Sequence, residues 1–286
     1  MNASPPKAGR RRLVVGHGYL GSRVAREWLA RGDRVWATTR SPARAAAMAA
    51  DGIEPLLVDL TGPFPLARLP EVDTVLWAVS PDSATGHHAL HVTGLGELLD
   101  ALPGAPRVVF ISSTGVYGET DGSVVNEDTP ARPDRPAGLA LLEAEACVAS
   151  RCPGRAVILR LAGLYGPGRL PRLADIRAGR PLAGPPDTWL NLIHVADATA
   201  IVALVADHPA PGPLYVVSDG RPVRRGEWYA ELARTITAPE PAWEPTARRV
   251  RGGDKRVDPR RLLREIAPPF RYPDPFAGLR DCLTDP

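Results

Sequence analysis

A chain of 286 residues is long enough to bury a full core, as one large domain or two smaller ones. Its 35 basic residues stand against 32 acidic ones, and a net charge of +3 makes no case for nucleic acid or an anionic membrane as partner. Three cysteines, Cys147, Cys152 and Cys282, follow neither CxxC nor metal-ligand spacing, so a reduced, cytoplasmic protein without a disulfide framework or a metal site is expected.

Met1 to Arg12 is polar, basic and proline-containing and lacks the apolar core of a signal peptide, so residues 1–11 are expected to form a flexible tail. No apolar run reaches the length of a membrane span. Arginine is abundant, whereas lysine occurs only as Lys7 and Lys255.

Arg12 to Val15 reads as a short buried strand, followed by Gly16-His17-Gly18-Tyr19-Leu20-Gly21 and an amphipathic helix. Gly16 permits a sharp turn, Gly18 lets a pyrophosphate approach the backbone, and Gly21 lets helix and strand pack closely. Tyr19 and Leu20 complete a loop that opens into a helix N-terminus, where free N–H groups favour phosphate. Glycine turns also occur for purely structural reasons, but the strand and helix on either side are the context that dinucleotide binding requires.

The second strand, Val35 to Arg40, ends in Thr39-Arg40-Ser41 with Arg44 a turn later. An acid at this strand end suits the ribose of NAD, whereas hydroxyls and guanidinium groups suit a 2′-phosphate, so NADP is expected over NAD. The other reading of Arg40 and Arg44 is a solvated helix start. Leu56 to Leu60 reads as a third strand on which Asp59, beside Leu60, either meets the adenine amino group or stays a surface acid. Thr74 to Val79 reads as a fourth, where the small Ala78 and then Ser80 lie along the cofactor. His87, His88 and His91 lack the regular spacing and acidic partners of a metal site, so no metal is expected. A helical segment from His91 to Leu102 and a fifth strand, Arg107 to Ile111, continue the alternation. That alternation predicts an α/β fold, a Rossmann-type doubly wound parallel sheet with a small C-terminal substrate domain.

Five ordered motifs, GHGYLG, ISSTGVYG, ILRLAGLYGPGR, NLIHVADAT and LYVVSDG, give the chain a resemblance to the extended short-chain dehydrogenase/reductases, the superfamily of nucleotide-sugar epimerases and dehydratases. The resemblance implies that Ser113, with Thr114 beside it, hydrogen-bonds the substrate oxygen, unless both only cap the strand end. It also implies a tyrosine and lysine one helical turn apart, to move the proton. Aligning the following LEAE on Leu142 to Glu145 puts Ala137 and Leu141 at those two positions, and no YxxxK occurs anywhere in the chain. This pattern, together with Asp254-Lys255-Arg256-Val257-Asp258, resembles the atypical YeeZ-like subgroup, which lacks the dyad.

A sixth strand, Val157 to Leu161, leads to a glycine loop from Gly163 to Gly168. Tyr165 is a candidate replacement acid there, or packs against the cofactor. His194 has a suitable proton affinity but stands where the family generally has a structural residue, with Asp197 near a helix start. Arg251 of Arg251-Gly252-Gly253-Asp254 resembles the RxGD stretch that binds a pyrophosphate in nucleotide-sugar members, or is one arginine among many.

The expected organisation is a flexible tail at 1–11, a cofactor-binding domain at 12–168 joined by 189–218, and a substrate-binding region at 169–188 and 219–286. The expected activity is that of an NADP-dependent oxidoreductase or epimerase-like enzyme. Its substrate would be a small molecule, phosphorylated or nucleotide-linked, and it would work as a monomer or homodimer with no nucleic acid or membrane partner. The alternative is an NADP(H)-binding redox sensor without turnover.

Overall fold

The computed structural model describes residues 9–62, 69–80, 86–244 and 253–284. Its first strand, β1 (Arg11–Val15), is buried from Arg12 onward, and an unbroken apolar run is what a strand covered on both faces needs. It begins inside the stretch expected to be a tail. The Arg11 N–H donates to Asp73 Oδ2 at 2.7 Å and the Arg10 N–H to Asp33 Oδ1 at 2.9 Å, so these residues are tied into the sheet.

Helix α1 (Gly21–Ala30) buries Val24, Ala25 and Trp28, the apolar stripe that its spacing predicts. Strand β2 (Arg34–Thr39) runs into α2 (Pro42–Ala50), whose first turn is fixed by Pro42 and by the Ser41 side chain accepting from the Arg44 N–H. Strand β3 (Glu54–Leu57) stops short of Asp59 and Leu60, because Asp59 turns back to accept from the Thr61 N–H and hydroxyl. Strand β4 (Thr74–Trp77) leads to a π-helical turn, Ala89–Gly94, and α3 (Leu95–Ala101). Strand β5 (Arg107–Ser113) extends to the serine pair itself.

Strand β6 (Val124–Val125), helix α4 (Pro136–Arg151) and strands β7 (Ala156–Leu161) and β8 (Gly163–Tyr165) follow. Next come α5 (Leu173–Arg177), β9 (Leu182–Ala183), β10 (Trp189–Leu190), β11 (Leu192–His194) and α6 (Val195–Asp207). The remainder consists of β12 (Leu214–Val217), β13 (Val223–Arg224), α7 (Arg225–Thr235), β14 (Trp243–Glu244), β15 (Arg256–Val257), α8 (Arg260–Glu265) and α9 (Pro275–Thr284).

Seven strands form one sheet in the order β12-β7-β5-β4-β1-β2-β3. Strand β1 pairs parallel with both β2 and β4, so the chain reverses its winding direction beside β1. This is the expected Rossmann-type arrangement, in which ligands bind outside the carboxyl ends of the strands at the reversal.

Contacts divide the chain into two compact units. The first comprises the residues up to Ile111 with Ala140–Ile158 and Val202–Pro213, and the second Ser112–Leu139, Leu159–Ile201 and Leu214–Pro286. These limits differ from the expected boundary near residue 168, because the division runs through β5, α4, β7 and α6. The first unit is anchored by Arg12, which is 1% exposed: its Nε donates to Asp33 Oδ2 at 2.8 Å, its Nη1 to Thr74 Oγ1 at 2.8 Å, and its Nη2 to Asp207. The second has its own apolar cluster, built on Tyr165, Leu192, Trp228, Leu232 and Leu279.

Candidate functional site

The glycine loop lies wholly in the first unit. Gly16 has φ of +97°, and a Cβ there would fall 2.8 Å from the Ala78 carbonyl oxygen, so only glycine lets the ends of β1 and β4 meet. A Cβ on Gly21 would fall 2.1 Å from the Gly16 carbonyl oxygen, which makes glycine obligatory for the close packing of α1 on the loop. Gly18 is the opposite case: a Cβ there would meet nothing within 4 Å. Two glycines thus serve the protein's own packing, and the third leaves an open backbone surface.

The loop is held from several sides. The Gly16 N–H donates to Thr38 Oγ1 at 3.1 Å, and the Arg23 guanidinium bonds the Tyr19 carbonyl at 2.7 Å while lying 4.2 Å over the Tyr19 ring. Leu20 is buried beneath. His17 Nε2 is buried and has no hydrogen-bond partner among the described residues. Burial, then the charge of Arg26, lowers the proton affinity of His17. A dinucleotide fits this loop on the structure's own terms, since the cradle at Gly18 is open and the helix N-terminus behind it favours phosphate.

The neighbouring strand ends carry the other residues expected at the cofactor. Thr39 Oγ1 accepts from the Ser41 N–H at 3.2 Å, which shapes the entry to α2, and Arg40 and Arg44 are exposed at the start of that helix. Asp59 is exposed, with Oδ1 engaged by Thr61, and Leu60 is buried under the π-helical turn, where a Cβ on Gly94 would strike its carbonyl oxygen at 2.1 Å. Ala78 donates its N–H to the Val15 carbonyl at 2.8 Å, and Ser80 is exposed beyond it. The three histidines part company. His88 lies 3.2 Å from Glu143 at the surface, whereas His91 is buried and accepts a hydrogen bond from the Trp77 indole at 3.4 Å.

In the second unit, Ser113 Oγ accepts from the Gly115 N–H at 3.0 Å and so fixes a 3-10 turn, Thr114–Val116. A hydroxyl has one donor and two acceptor positions, so this bond leaves the Ser113 O–H free to donate. Thr114 is 9% exposed beside it. The start of α4 packs on the same turn, with the Cβ position of Gly138 only 3.0 Å from the Gly115 carbonyl oxygen. Ala137 therefore stands next to the serine turn, and Leu141 one helical turn further along, with no proton-carrying group at either position.

Tyr165 and His194 do not join this turn. Tyr165 is fully buried in the apolar cluster, its hydroxyl 3.4 Å from the Pro275 carbonyl oxygen and its ring edge-on to His194 and Trp228. Burial, and then the nearby charge of Asp219, push its proton affinity far above the ordinary phenol range. His194 is 2% exposed, and its Nδ1 accepts from the Ala196 N–H at 3.2 Å. Its Nε2 lies 3.5 Å from Cys282 Sγ, and Tyr272 packs 3.9 Å from its ring. Both residues are buried in the core of the second unit, away from the serine turn's own contacts. Arg251 lies outside the described residues.

Two residues with a role at these sites were not singled out by sequence reasoning. Thr38 holds the glycine loop, and its signal was only its place on the buried strand β2. Lys255 is 2% exposed and donates from Nζ to the Tyr117 carbonyl at 2.9 Å, and burial lowers its pKa to about 8. The scarcity of lysine was the hint. Arg160 bonds the Tyr117 hydroxyl at 2.7 Å, so the segment after the serine turn is clamped at both backbone and ring.

A reversing parallel sheet with this glycine cradle defines an α/β protein of the nicotinamide dinucleotide-binding class. The model of the NAD dependent epimerase/dehydratase family matches residues 12–218, and the chain belongs to that family. It is 31% identical to Protein YeeZ of Escherichia coli (strain K12) over 277 residues, covering 92% of this chain and 96% of YeeZ. It is also 31% identical to UDP-glucose 4-epimerase of Vibrio cholerae over 156 residues, 49% of this chain and 46% of the epimerase. A solved structure of a functionally unknown conserved protein from Silicibacter pomeroyi DSS superposes with a TM-score of 0.79 at 29% identity, covering 96% of this chain and 99% of that one.

Proposed function

We propose that the protein is an NADP-dependent oxidoreductase or epimerase-type enzyme of the cytoplasm, working as a monomer or homodimer on a small phosphorylated or nucleotide-linked substrate. The observation that carries this reading is the contrast within the glycine loop. Gly16 and Gly21 are required by backbone contacts at 2.8 and 2.1 Å, while Gly18 faces open space that the fold itself does not use. Gly16, Gly18, Tyr19, Leu20 and Gly21 would hold the pyrophosphate. Thr39, Arg40, Ser41 and Arg44, at a strand end without an acid, would hold the 2′-phosphate, with Asp59, Leu60, Ala78 and Ser80 along the adenosine and nicotinamide ribose.

Hydride transfer is the chemistry a bound nicotinamide supplies. The chain's own part is to orient the substrate: the Ser113 O–H, held in place by the Gly115 N–H, donates to the substrate oxygen, and Thr114 supports it. With Ala137 and Leu141 at the dyad positions, the proton comes from substrate or water, and a loss on the order of 10²- to 10⁴-fold in rate is expected relative to a chain with a placed acid. Relationship to a UDP-glucose 4-epimerase supports a nucleotide-linked substrate. The substrate-binding region would comprise residues 169–188 and 219–286, with Arg251 as one candidate contact.

The bare positions Ala137 and Leu141 favour one other reading, an NADP(H)-binding sensor without turnover. The two readings part in one assay. Purified protein is incubated with NADPH and a panel of aldehydes, ketones and imines, and separately with NADP+ and a panel of nucleotide sugars, following nicotinamide absorbance and, for the sugars, epimer composition by NMR. Turnover of at least one nucleotide-linked compound is expected. Binding of NADPH with no turnover across the panel overturns the enzyme reading in favour of the sensor.

A further inference from the structure

We propose that His17, between the first two glycines of the loop, is a contact for the 2′-phosphate of NADP(H) and a determinant of the preference for NADP over NAD. The inference rests on the reading of the loop as a dinucleotide grip, to which it adds a residue and a pH dependence. The fold makes no use of this imidazole. Its Nε2 is buried without a hydrogen-bond partner, and no described residue hydrogen-bonds the other ring nitrogen. Nor does the backbone demand a particular residue here, since His17 is not among those of positive φ.

Histidines that serve the structure look different in the same molecule. His91 Nδ1 accepts from the Trp77 indole at 3.4 Å, whereas His194 accepts from the Ala196 N–H at Nδ1 and meets Cys282 Sγ at Nε2. A half-buried imidazole with neither nitrogen engaged leaves polar groups unsatisfied, and a ligand oxygen is the partner they lack. The next residue is Gly18, where an added Cβ would meet nothing within 4 Å, so open space begins beside His17.

The surrounding charges favour one part of the ligand. Those that act on His17 come from both helices beside the loop: Arg26 of α1, and Arg44 and Asp51 at the two ends of α2. Arg26 and Asp51 lie 3.7 Å apart and offset one another, whereas Arg44 has no acid partner among the described residues. Arg44 follows Ser41 in the first turn of α2, within the stretch proposed above for the 2′-phosphate. In the free protein, burial and then the charge of Arg26 hold the imidazole below its ordinary proton affinity. A phosphate dianion beside the ring reverses that balance, so binding of NADP takes up a proton and tightens as the pH falls. NAD carries a hydroxyl in place of the phosphate and draws no such proton.

Calorimetric titration with NADP+ and NAD+ tests this on wild type, His17→Gln and His17→Arg, with the melting temperature of each protein. The 2′-phosphate itself titrates near a pH of about 6, so proteins are compared at one pH, where that contribution cancels. At pH 6.5 His17→Gln is expected to bind NADP+ about ten-fold more weakly than wild type. The difference is expected to shrink at pH 8.5, with NAD+ binding unchanged. His17→Arg, charged at every pH, is expected to restore NADP+ binding and to remove that pH dependence. Wild type needs no variant for a second reading: at pH 7.5, titration in two buffers of different ionisation enthalpy is expected to show proton uptake with NADP+ and none with NAD+. Wild-type NADP+ affinity in His17→Gln, equal losses for both cofactors, or no proton uptake with NADP+ overturns the proposal and leaves the loop's assignment standing. A wild type that binds both cofactors equally also overturns it, and one that binds neither overturns the proposed function as well.

Discussion

The Trp77 indole N–H needs an unprotonated acceptor, and His91 Nδ1 supplies it at 3.4 Å in a site where both rings are buried. Burial, and then the charge of the stacked His87, lower the His91 pKa to about 4. The sign follows by linkage. Above the unfolded value near 6.5 both states are neutral and His91 costs nothing; as pH falls, the unfolded chain binds the proton first, and stability is lost down to about pH 4. The loss is on the order of 3 kcal/mol. Denaturant unfolding from pH 7.5 to 4 is expected to show this slope in wild type and a shallower one in His91→Phe. NMR should find the His91 ring neutral at pH 6, and a ring that titrates near 6.5 would contradict the argument. Other residues explain why single side chains are hard to read from sequence. His194 and Tyr165 carry chemistry-bearing groups in suggestive motifs, yet their burial among Trp228, Tyr272 and Cys282 comes from α7, α9 and the segment before α9, far away along the chain.

Helix α4 was legible as a helix, and the positions of Ala137 and Leu141 on it followed from counting along one element. Its contact with the serine turn was not, because that depends on the absence of a side chain at Gly138. Glycine inside a helix normally costs about 1 kcal/mol relative to alanine. At this position an added Cβ would lie 2.6 Å from Pro133 Cβ and 3.0 Å from the Gly115 carbonyl oxygen, so the usual gain is reversed. Gly138→Ala is expected to lower the free energy of unfolding by about 1–3 kcal/mol, the cost of overpacking, and to disturb the Ser113 turn. A more stable Gly138→Ala protein would show that the turn and helix are less closely joined than described. Strand ends were read less well than strand centres: β3 ends early because Asp59 turns back onto Thr61, a local hydrogen-bonding choice with a weak sequence signal.

At the scale of the whole molecule, the alternation of apolar strands and amphipathic helices was sufficient to predict the parallel sheet, because each strand's pattern is dictated by burial on both faces. The limits of the two units cut through β5, α4, β7 and α6, elements that look continuous along the chain. Lys255 escaped because its weight lies in the lack of solvent around it, and only the folded chain has that property. The glycine loop, by contrast, was read from spacing alone, and the structure adds a distinction among its glycines. Gly18→Ala isolates it, because a methyl group there touches no protein atom within 4 Å, whereas the same change at Gly21 collides with the loop at 2.1 Å. The direct measurement is NADPH titration of wild type and Gly18→Ala, with the melting temperature of each. The expected result is an unchanged melting temperature and an affinity about ten-fold or more weaker in the variant, with wild type preferring NADPH to NADH. NADPH binding of wild-type strength in Gly18→Ala, or none in wild type, would contradict the assignment of this loop as the dinucleotide grip.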